Sequence, residues 1–417
     1  MFIKNSSRSI VLIFVLITFI NQAFAQVNRG QLDGRQNTIT TAVPFLMITP
    51  DARAGAMGDA GVASPNDMNA IHWNAAKLAF MEKNGGVSLS YTPWLRSLVP
   101  DVSLSYLSFY NRINNRSTIG GSLRYFSLGS IDFTDDQANP LGTFTPNELA
   151  LDVAYAQKLS ENFSVGVAFR YIRSNLTGGL QTASGLEPAN TYAADITSYY
   201  TNRFRYKKKW INYGYGLAIT NIGAKVTYTT AQFEDFIPIN LRVGGYVNFE
   251  LDKYNSIAFL LDFNKLLVPT PPVYQTDANG NVVYKDGEPV IIEGKADNVP
   301  VVQGMIQSFY DAPGGFREEL QEINTSFGLE YWYDKQFALR GGFFYEPESK
   351  GNRKYATLGA GLRYNVFTID VSYLFSFGQR NPLDNTLRFT LGLDFAAFTK
   401  QKEKKSDTPS GFSDPDR

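Results

Sequence analysis

From Gly85 onward the chain alternates large apolar residues with small or polar ones at a period of two, in one segment after another. Across 163–173 one face holds Phe163, Val165, Val167, Phe169 and Tyr171, and the other holds Ser164, Gly166, Ala168 and Arg170. Ala356, Leu358, Ala360, Leu362 and Tyr364 alternate with Thr357, Gly359, Gly361 and Arg363, and 369–377 and 387–395 repeat the scheme. Two is the side-chain period of a β-strand. The composition of the faces says where such strands sit. A sandwich covers its solvent face with Lys, Glu and Thr. Here the polar face is Gly, Ser and Ala with isolated charges, which suits a filled lumen, while the large apolar face suits lipid. Aromatic residues gather near segment ends, as in Tyr91 to Trp94, Phe109-Tyr110, Tyr199-Tyr200 and Tyr331-Trp332-Tyr333. An amphipathic ring prefers that headgroup level.

The pattern predicts about fourteen strands: 85–93, 101–111, 117–128, 148–158, 163–173, 191–200, 209–221, 240–250, 255–264, 322–333, 337–345, 354–363, 366–377 and 385–395. Connections after odd strands are long (129–147, 174–190, 222–239 and, longest, 265–321), and those after even strands are short. Short periplasmic turns alternating with long outer loops mark an outer-membrane barrel, and an even strand number returns both ends to the periplasm. The expectation is all-β: an antiparallel outer-membrane β-barrel over 85–398, with a short, partly helical N-terminal plug over 26–84. Ahead of it, Lys4 and Arg8, the apolar run 10–20 and Ala23-Phe24-Ala25 predict a secretory signal peptide over 1–25. Residues 399–417, basic and then Pro/Ser/Asp-rich, predict a periplasmic tail.

Composition narrows the chemistry. The chain has 39 basic and 39 acidic residues; removing 1–25, with two bases and no acid, leaves 37 − 39 = −2, which offers no general attraction to nucleic acid. With no cysteine and a single histidine, thiol nucleophiles, disulfides and multi-histidine metal sites are excluded. His72 would have to serve any serine-type hydrolase. It lies beside Trp73 in the plug with no Gly-x-Ser-x-Gly nearby, so it reads as structural. Asp277, Asn279, Asn281 and Glu288 fit positions 1, 3, 5 and 12 of a calcium loop, but Val282 stands where glycine is needed, and Asn279-Gly280 between Val273-Tyr274 and 282–284 reads as a hairpin turn. No cofactor, no metal and no enzymatic activity is expected. The inward charges Asp152, Arg170, Glu330, Arg340, Arg363, Asp370, Arg388 and Asp394 read as a mutually paired network rather than a transport path.

Within the plug, Thr49-Pro50-Asp51 predicts a helix start ended by Gly58 and Gly61, and 67–81 predicts a second helix with Met68, Ile71, Ala75, Leu78 and Ala79 on one face. The run from Pro44 through Pro50, Asp51, Arg53, Met57, Gly58 and Asp59 to Ala63 resembles the opening motif of the PorV family. So do Ile71-His72-Trp73-Asn74-Ala75-Ala76-Lys77-Leu78-Ala79 and 87–95. That resemblance implies an outer-membrane component of the type IX secretion system of Bacteroidetes, similar in fold to the FadL long-chain fatty-acid transporters. It implies that the chain binds the translocon barrel and the C-terminal signal domains of cargo, and shuttles cargo to a surface attachment complex. Where FadL-like plugs commonly carry Asn-Pro-Ala, this chain has Asn74-Ala75-Ala76. The alternative is a FadL-like transporter of long-chain fatty acids or other hydrophobic small molecules. The partners expected are thus the translocon, cargo signal domains, the attachment complex and membrane lipid. In 265–321, the aromatics Tyr274, Tyr284, Phe309 and Tyr310 and the apolar patch Val299, Val301, Val302, Met305 and Ile306 mark the expected partner-binding site.

Overall fold

The computed structural model describes residues 37–95, 99, 101–134, 137, 139–176, 187–228, 234–277, 279–377 and 383–395. The signal peptide expected at 1–25, residues 26–36 and the tail expected at 399–417 lie outside them. Among the described residues fourteen antiparallel strands close into a barrel. They are β1 (Gly85–Pro93), β2 (Val102–Arg112), β3 (Ser117–Leu128), β4 (Asn147–Lys158), β5 (Phe163–Asn175), β6 (Ala189–Tyr206) and β7 (Lys209–Gly223). There follow β8 (Asn240–Glu250), β9 (Asn255–Leu266), β10 (Asn324–Tyr333), β11 (Phe337–Tyr345), β12 (Lys354–Tyr364), β13 (Phe367–Ser376) and β14 (Thr386–Asp394). Each strand pairs with its sequence neighbours, and the seam closes by pairing Gly86 to Tyr91 of β1 with Asp394 to Phe389 of β14.

The two faces divide as the alternation predicts. Val153, Phe169, Tyr215, Leu339 and Leu358 are exposed on the outer wall, whereas Ser90, Arg124, Asp152, Arg170 and Asp370 are buried inside. Lipid covers the first set, and the lumen must satisfy the second. One strand outruns the expectation. β6 continues six residues past Tyr200 and turns tightly through Lys207 and Lys208, at φ 46° and 68°, into β7. Two consecutive left-handed residues make a type I′ turn, whose twist matches the strands it joins.

Residues 37–84 fill the lumen from end to end. Asn37 lies among the long connections, where its backbone N–H donates to Ser349 O and its side chain donates to Glu318. At the opposite mouth Lys83 pairs with Asp394. The two helices expected here are shorter than predicted. α1 is only Ala52–Gly55, and Asp51, rather than Thr49, is its N-cap, accepting the Ala54 N–H at 2.9 Å. The segment 67–81 breaks into α2 (Ala70–Trp73) and a 3-10 turn, Ala75–Phe80. Asn74 causes the break: it is extended (φ −165°, ψ 100°), and its side chain takes the Ala76 N–H that a continuous helix would have used. Met68, Ile71, Ala75, Leu78 and Ala79 nevertheless share one apolar cluster with the β2 and β4 wall.

Candidate functional site

All eight plug-motif residues are fixed against the wall or one another. Asp51, fully buried, also accepts the Trp73 indole N–H at 2.7 Å. Pro50, also buried, leads the chain into that cap. Arg53 binds both Glu330 oxygens at 3.0 Å and reaches Asp67 at 2.8 Å. Such a forked, charge-assisted contact fixes orientation as well as distance. Met57 is fully buried. Gly58 at φ +65° sends its N–H to Thr357, and a side chain there would strike the Phe343 backbone. Asp59 accepts the Tyr355 hydroxyl at 2.5 Å. The Arg242 guanidinium lies 5.1 Å above Trp73, and the Asn74 amide donates to Val62 O and Ser198 O. His72 is buried, with Nδ1 at 2.5 Å from Arg124 and its carbonyl accepting from Arg242.

Six of the eight inward charges form the paired network expected, Asp394 through Lys83, whereas Arg363 stacks on Trp332 at 4.6 Å and Arg388 reaches Asp59 only at 4.0 Å. Arg340 joins Glu330 at 2.8 Å and Asp370 at 2.6 Å, while Arg170 joins Asp152, Asp195 and Asn221. Sequence reasoning missed Asp262, which accepts the Gly61 and Val62 N–H groups at 2.6 and 2.8 Å and clamps the plug to β9. It also missed Lys77, whose ammonium is buried on Gly61 O and Ser64. Neither carries a local pattern, because each is defined by a partner distant in sequence. Below the plug a cavity of about 380 Å³ opens between Arg53, Asp67, Lys83, Trp332, Arg363 and Asp394. The upper lumen is filled instead by Phe45 and Leu46, packed on Phe126, Ile172 and Phe236.

The connection between β9 and β10 is built, not loose. Its lower part is a meander: Val283 N–H donates to Gln275 O, and Tyr284-Lys285 pairs with Glu288-Pro289 around the Asp286-Gly287 turn. At the Asn279-Gly280 turn, the N–H groups of Asn281 and Asn279 point at Asp277 and hold its carboxyl below the usual range. Two helices follow, α3 (Val301–Gln307) and α4 (Phe316–Gln321). Gly304 and Met305 of α3 pack on Phe236 and the apolar seal, over the lumen. Beneath α4, Glu322 accepts Lys265 at 2.5 Å, Lys350 at 2.9 Å and the Thr270 hydroxyl at 2.6 Å, while Glu319 accepts Lys265 and Glu318 accepts Lys350. Burial pushes Glu318 up, but the Lys350 ammonium outweighs it and leaves the carboxyl below its ordinary value. Asp311, taking the Thr270 N–H, is pushed up by burial to about 6.

The face turned outward is apolar. Val302 (68% exposed), Ile306 (60%), Phe309, Tyr310, Phe316 (77%) and Leu320 stand open on α3, α4 and the turn between them. Of the four expected anchors, Tyr284, Phe309 and Tyr310 are exposed, whereas Tyr274 is half-buried and its hydroxyl donates to Asp297. Phe316 and Leu320, spaced i and i+4, were legible as a helix face but were not singled out.

The sequence model of the family described as "Type IX secretion system protein PorV" matches residues 31–273. No curated protein matches the sequence. Similar solved structures include the toluene transporter TodX of Pseudomonas putida, 10% identical with a TM-score of 0.43, over 86% of this chain and 98% of that one. A FadL homologue of Pseudomonas aeruginosa is 12% identical with a TM-score of 0.41, over 84% and 99%. The monoaromatic hydrocarbon channel CymD is 13% identical with a TM-score of 0.43, over 85% and 97%. At these scores the likeness carries no argument about what the chain transports.

Proposed function

Because the chain belongs to the PorV family, and so is an outer-membrane component of type IX secretion, we propose that it works by binding, with the β9–β10 connection as its recognition surface. In this reading the loop engages the translocon barrel and the C-terminal signal domains of emerging cargo, and the protein carries cargo to the surface attachment complex. No bond is made or broken.

The observation that supports it is the combination of a fixed base and an open apolar face. A loop of this length is usually functional or disordered, and the buried lysine–glutamate cluster argues against disorder here. Preorganised apolar side chains bind with less ordering cost than mobile ones. Fully burying one such side chain stabilises by about 1.5–3 kcal/mol. Scaled by exposures of 68%, 60% and 49%, Val302, Ile306 and Phe309 together could contribute roughly 3–5 kcal/mol to a complex. For the alternative of a hydrophobic-molecule transporter, the apolar upper lumen is already occupied by Phe45 and Leu46, and the lower cavity mixes apolar side chains such as Met68, Met81 and Trp332 with ion-paired ones.

The test is co-purification from native membranes of tagged wild type and a V302S/I306S/F309S variant. All three side chains point outward, so the variant should keep heat-modifiable gel migration while losing at least a hundredfold in captured translocon and cargo. Undiminished capture would move recognition to another surface.

A further inference from the structure

The β6–β7 hairpin extends beyond the barrel wall on the short-turn, periplasmic side. β5 accompanies β6 only to Phe163–Tyr200, and β8 accompanies β7 only to Phe249–Ile211, whereas β6 and β7 stay paired to Tyr206–Lys209. On the β5 side six residues of β6 are uncovered, but only the pairs Arg205–Trp210 and Tyr206–Lys209 and the turn stand past both neighbours, roughly 7 Å along the strand. With a strand tilt near 45° that is about 5 Å along the normal, which sets the tip within a headgroup layer of roughly 5–8 Å.

The two faces of this ribbon differ. The outward face continues the lipid-facing stripe as an aromatic column: Tyr215 against Tyr200 at 6.4 Å, Tyr200 against Tyr213 at 6.2 Å, and Tyr213 against Phe204 at 5.8 Å. Tyr206 and Lys209 end that face, and Lys207 and Lys208 form the tip, the Lys207 ammonium lying 5.2 Å over the Tyr206 ring. On the inward face Arg203 and Arg205 stack on Trp210 at 4.8 and 5.8 Å, which stiffens the ribbon from behind. No acid occurs in the sequence between Asp195 and Glu234. The nearest acids lie in the two flanking turns: Glu161 is exposed, Glu250 accepts from the Asn212 amide, and Asp252, kept ionised by the Tyr254 and Asn255 N–H groups, interacts with Lys209.

Rings at the headgroup level followed by a tip where cations outnumber the nearby acids describe a membrane-facing element selective for negative lipid. We infer that the outward face and tip of the β6–β7 hairpin bind anionic phospholipid of the periplasmic leaflet, with Lys207, Lys208 and Lys209 meeting the phosphates. The column running unbroken from the lipid-facing wall is what favours a membrane over an acidic protein as occupant. The inference rests on the orientation of the barrel and not on the secretion reading, so either can fail alone.

The chain lacks cysteine, so N202C provides a single labelling position on the outward face that leaves the rings and lysines intact. The labelled protein is placed in phosphatidylcholine vesicles that carry a nitroxide quencher on either phosphatidylglycerol or phosphatidylcholine. A lysine near an anionic surface is worth roughly fivefold in local lipid partition. Quenching by the phosphatidylglycerol probe should therefore exceed that by the phosphatidylcholine probe about tenfold or more, and K207Q/K208Q/K209Q on the same background should bring the ratio close to one. Equal quenching by both probes in the parent overturns the inference. So does a preference that survives in the triple variant, and so does absence of quenching by either, which would put the ribbon in water and favour an acidic protein partner.

Discussion

Glu322→Leu tests how the β9–β10 connection is held. The Glu322 carboxylate, buried, is shared by two ammonium groups and a hydroxyl, at 2.5 Å from Lys265, 2.9 Å from Lys350 and 2.6 Å from Thr270. Leucine removes all three bonds. Lys265 keeps Glu319 at 3.0 Å and Lys350 keeps Glu318 at 2.6 Å, so neither ammonium is left bare. Breaking a buried pair by removing one partner costs about 3–5 kcal/mol; the surviving partners put this case near the lower limit. About 3 kcal/mol is roughly a hundredfold in the equilibrium for local opening. Hydrogen exchange measures that equilibrium directly. Peptides covering 301–321 should exchange roughly a hundred times faster in E322L than in wild type, while β2–β5 peptides and heat-modifiable migration stay unchanged. E322Q, which can still accept from either lysine, should fall between them. Wild-type exchange in E322L would refute the reasoning and assign the hold on the loop to α3 packed against Phe236 and Pro269.

Asp262→Ala takes an ionised acceptor from two buried N–H groups, a loss of about 3–5 kcal/mol to plug seating; open events in planar-bilayer recordings should rise more than a hundredfold, and a variant as quiet as wild type would count against the clamp. Gly58→Ala meets both a positive φ and the Phe343 backbone N at 2.5 Å, so its folded gel band should vanish at least several degrees lower than that of Gly341→Ala, where a methyl meets Leu358 at 3.6 Å and the Thr357 carbonyl at 3.8 Å, both ordinary contacts. Asp311, raised from 3.8 to about 6, favours the loop base fully when protonated, below about pH 4, and that contribution is lost as pH rises through about 6. Proteolysis of the loop should accordingly quicken from pH 4 to 7 in wild type, and the step should be smaller in Asp311→Asn; an equal step in both would remove Asp311 from the account.

The barrel was legible because lipid and lumen impose opposite demands on alternate residues, and the sequence meets both on nearly every strand. β6 was expected to end at Tyr200, before the basic run Arg203 to Lys209. Its ladder with β7 continues, with Phe204 and Tyr206 prolonging the outward face to the type I′ turn at Lys207-Lys208. In the plug, the apolar set from Met68 to Ala79 was grouped correctly but drawn on one helix. A lumen lets a short segment bury side chains in several directions, and Asn74 exploits this by turning the chain. The loop aromatics were visible as a group. Which of them face outward was not, because Tyr274 is drawn in by Asp297, 23 residues away in sequence. Asp262 and Glu322 were illegible for the same reason: their partners converge only after the barrel has closed.

The plug runs from Asn37, beside Ser349 and Glu318 among the long connections, to Lys83 at the opposite mouth, and the chain then enters β1, which forms the final seam with β14. That path sets the order of assembly. In a barrel already sealed, the segment would have to be drawn upward past Asp262, Glu330 and Arg124 and out beneath a loop pinned by two lysines. Sealing of β1 against β14 therefore comes last, around a plug already in place. Insertion machinery that handles this chain must keep an open sheet in the membrane until Asn37 has reached the long connections.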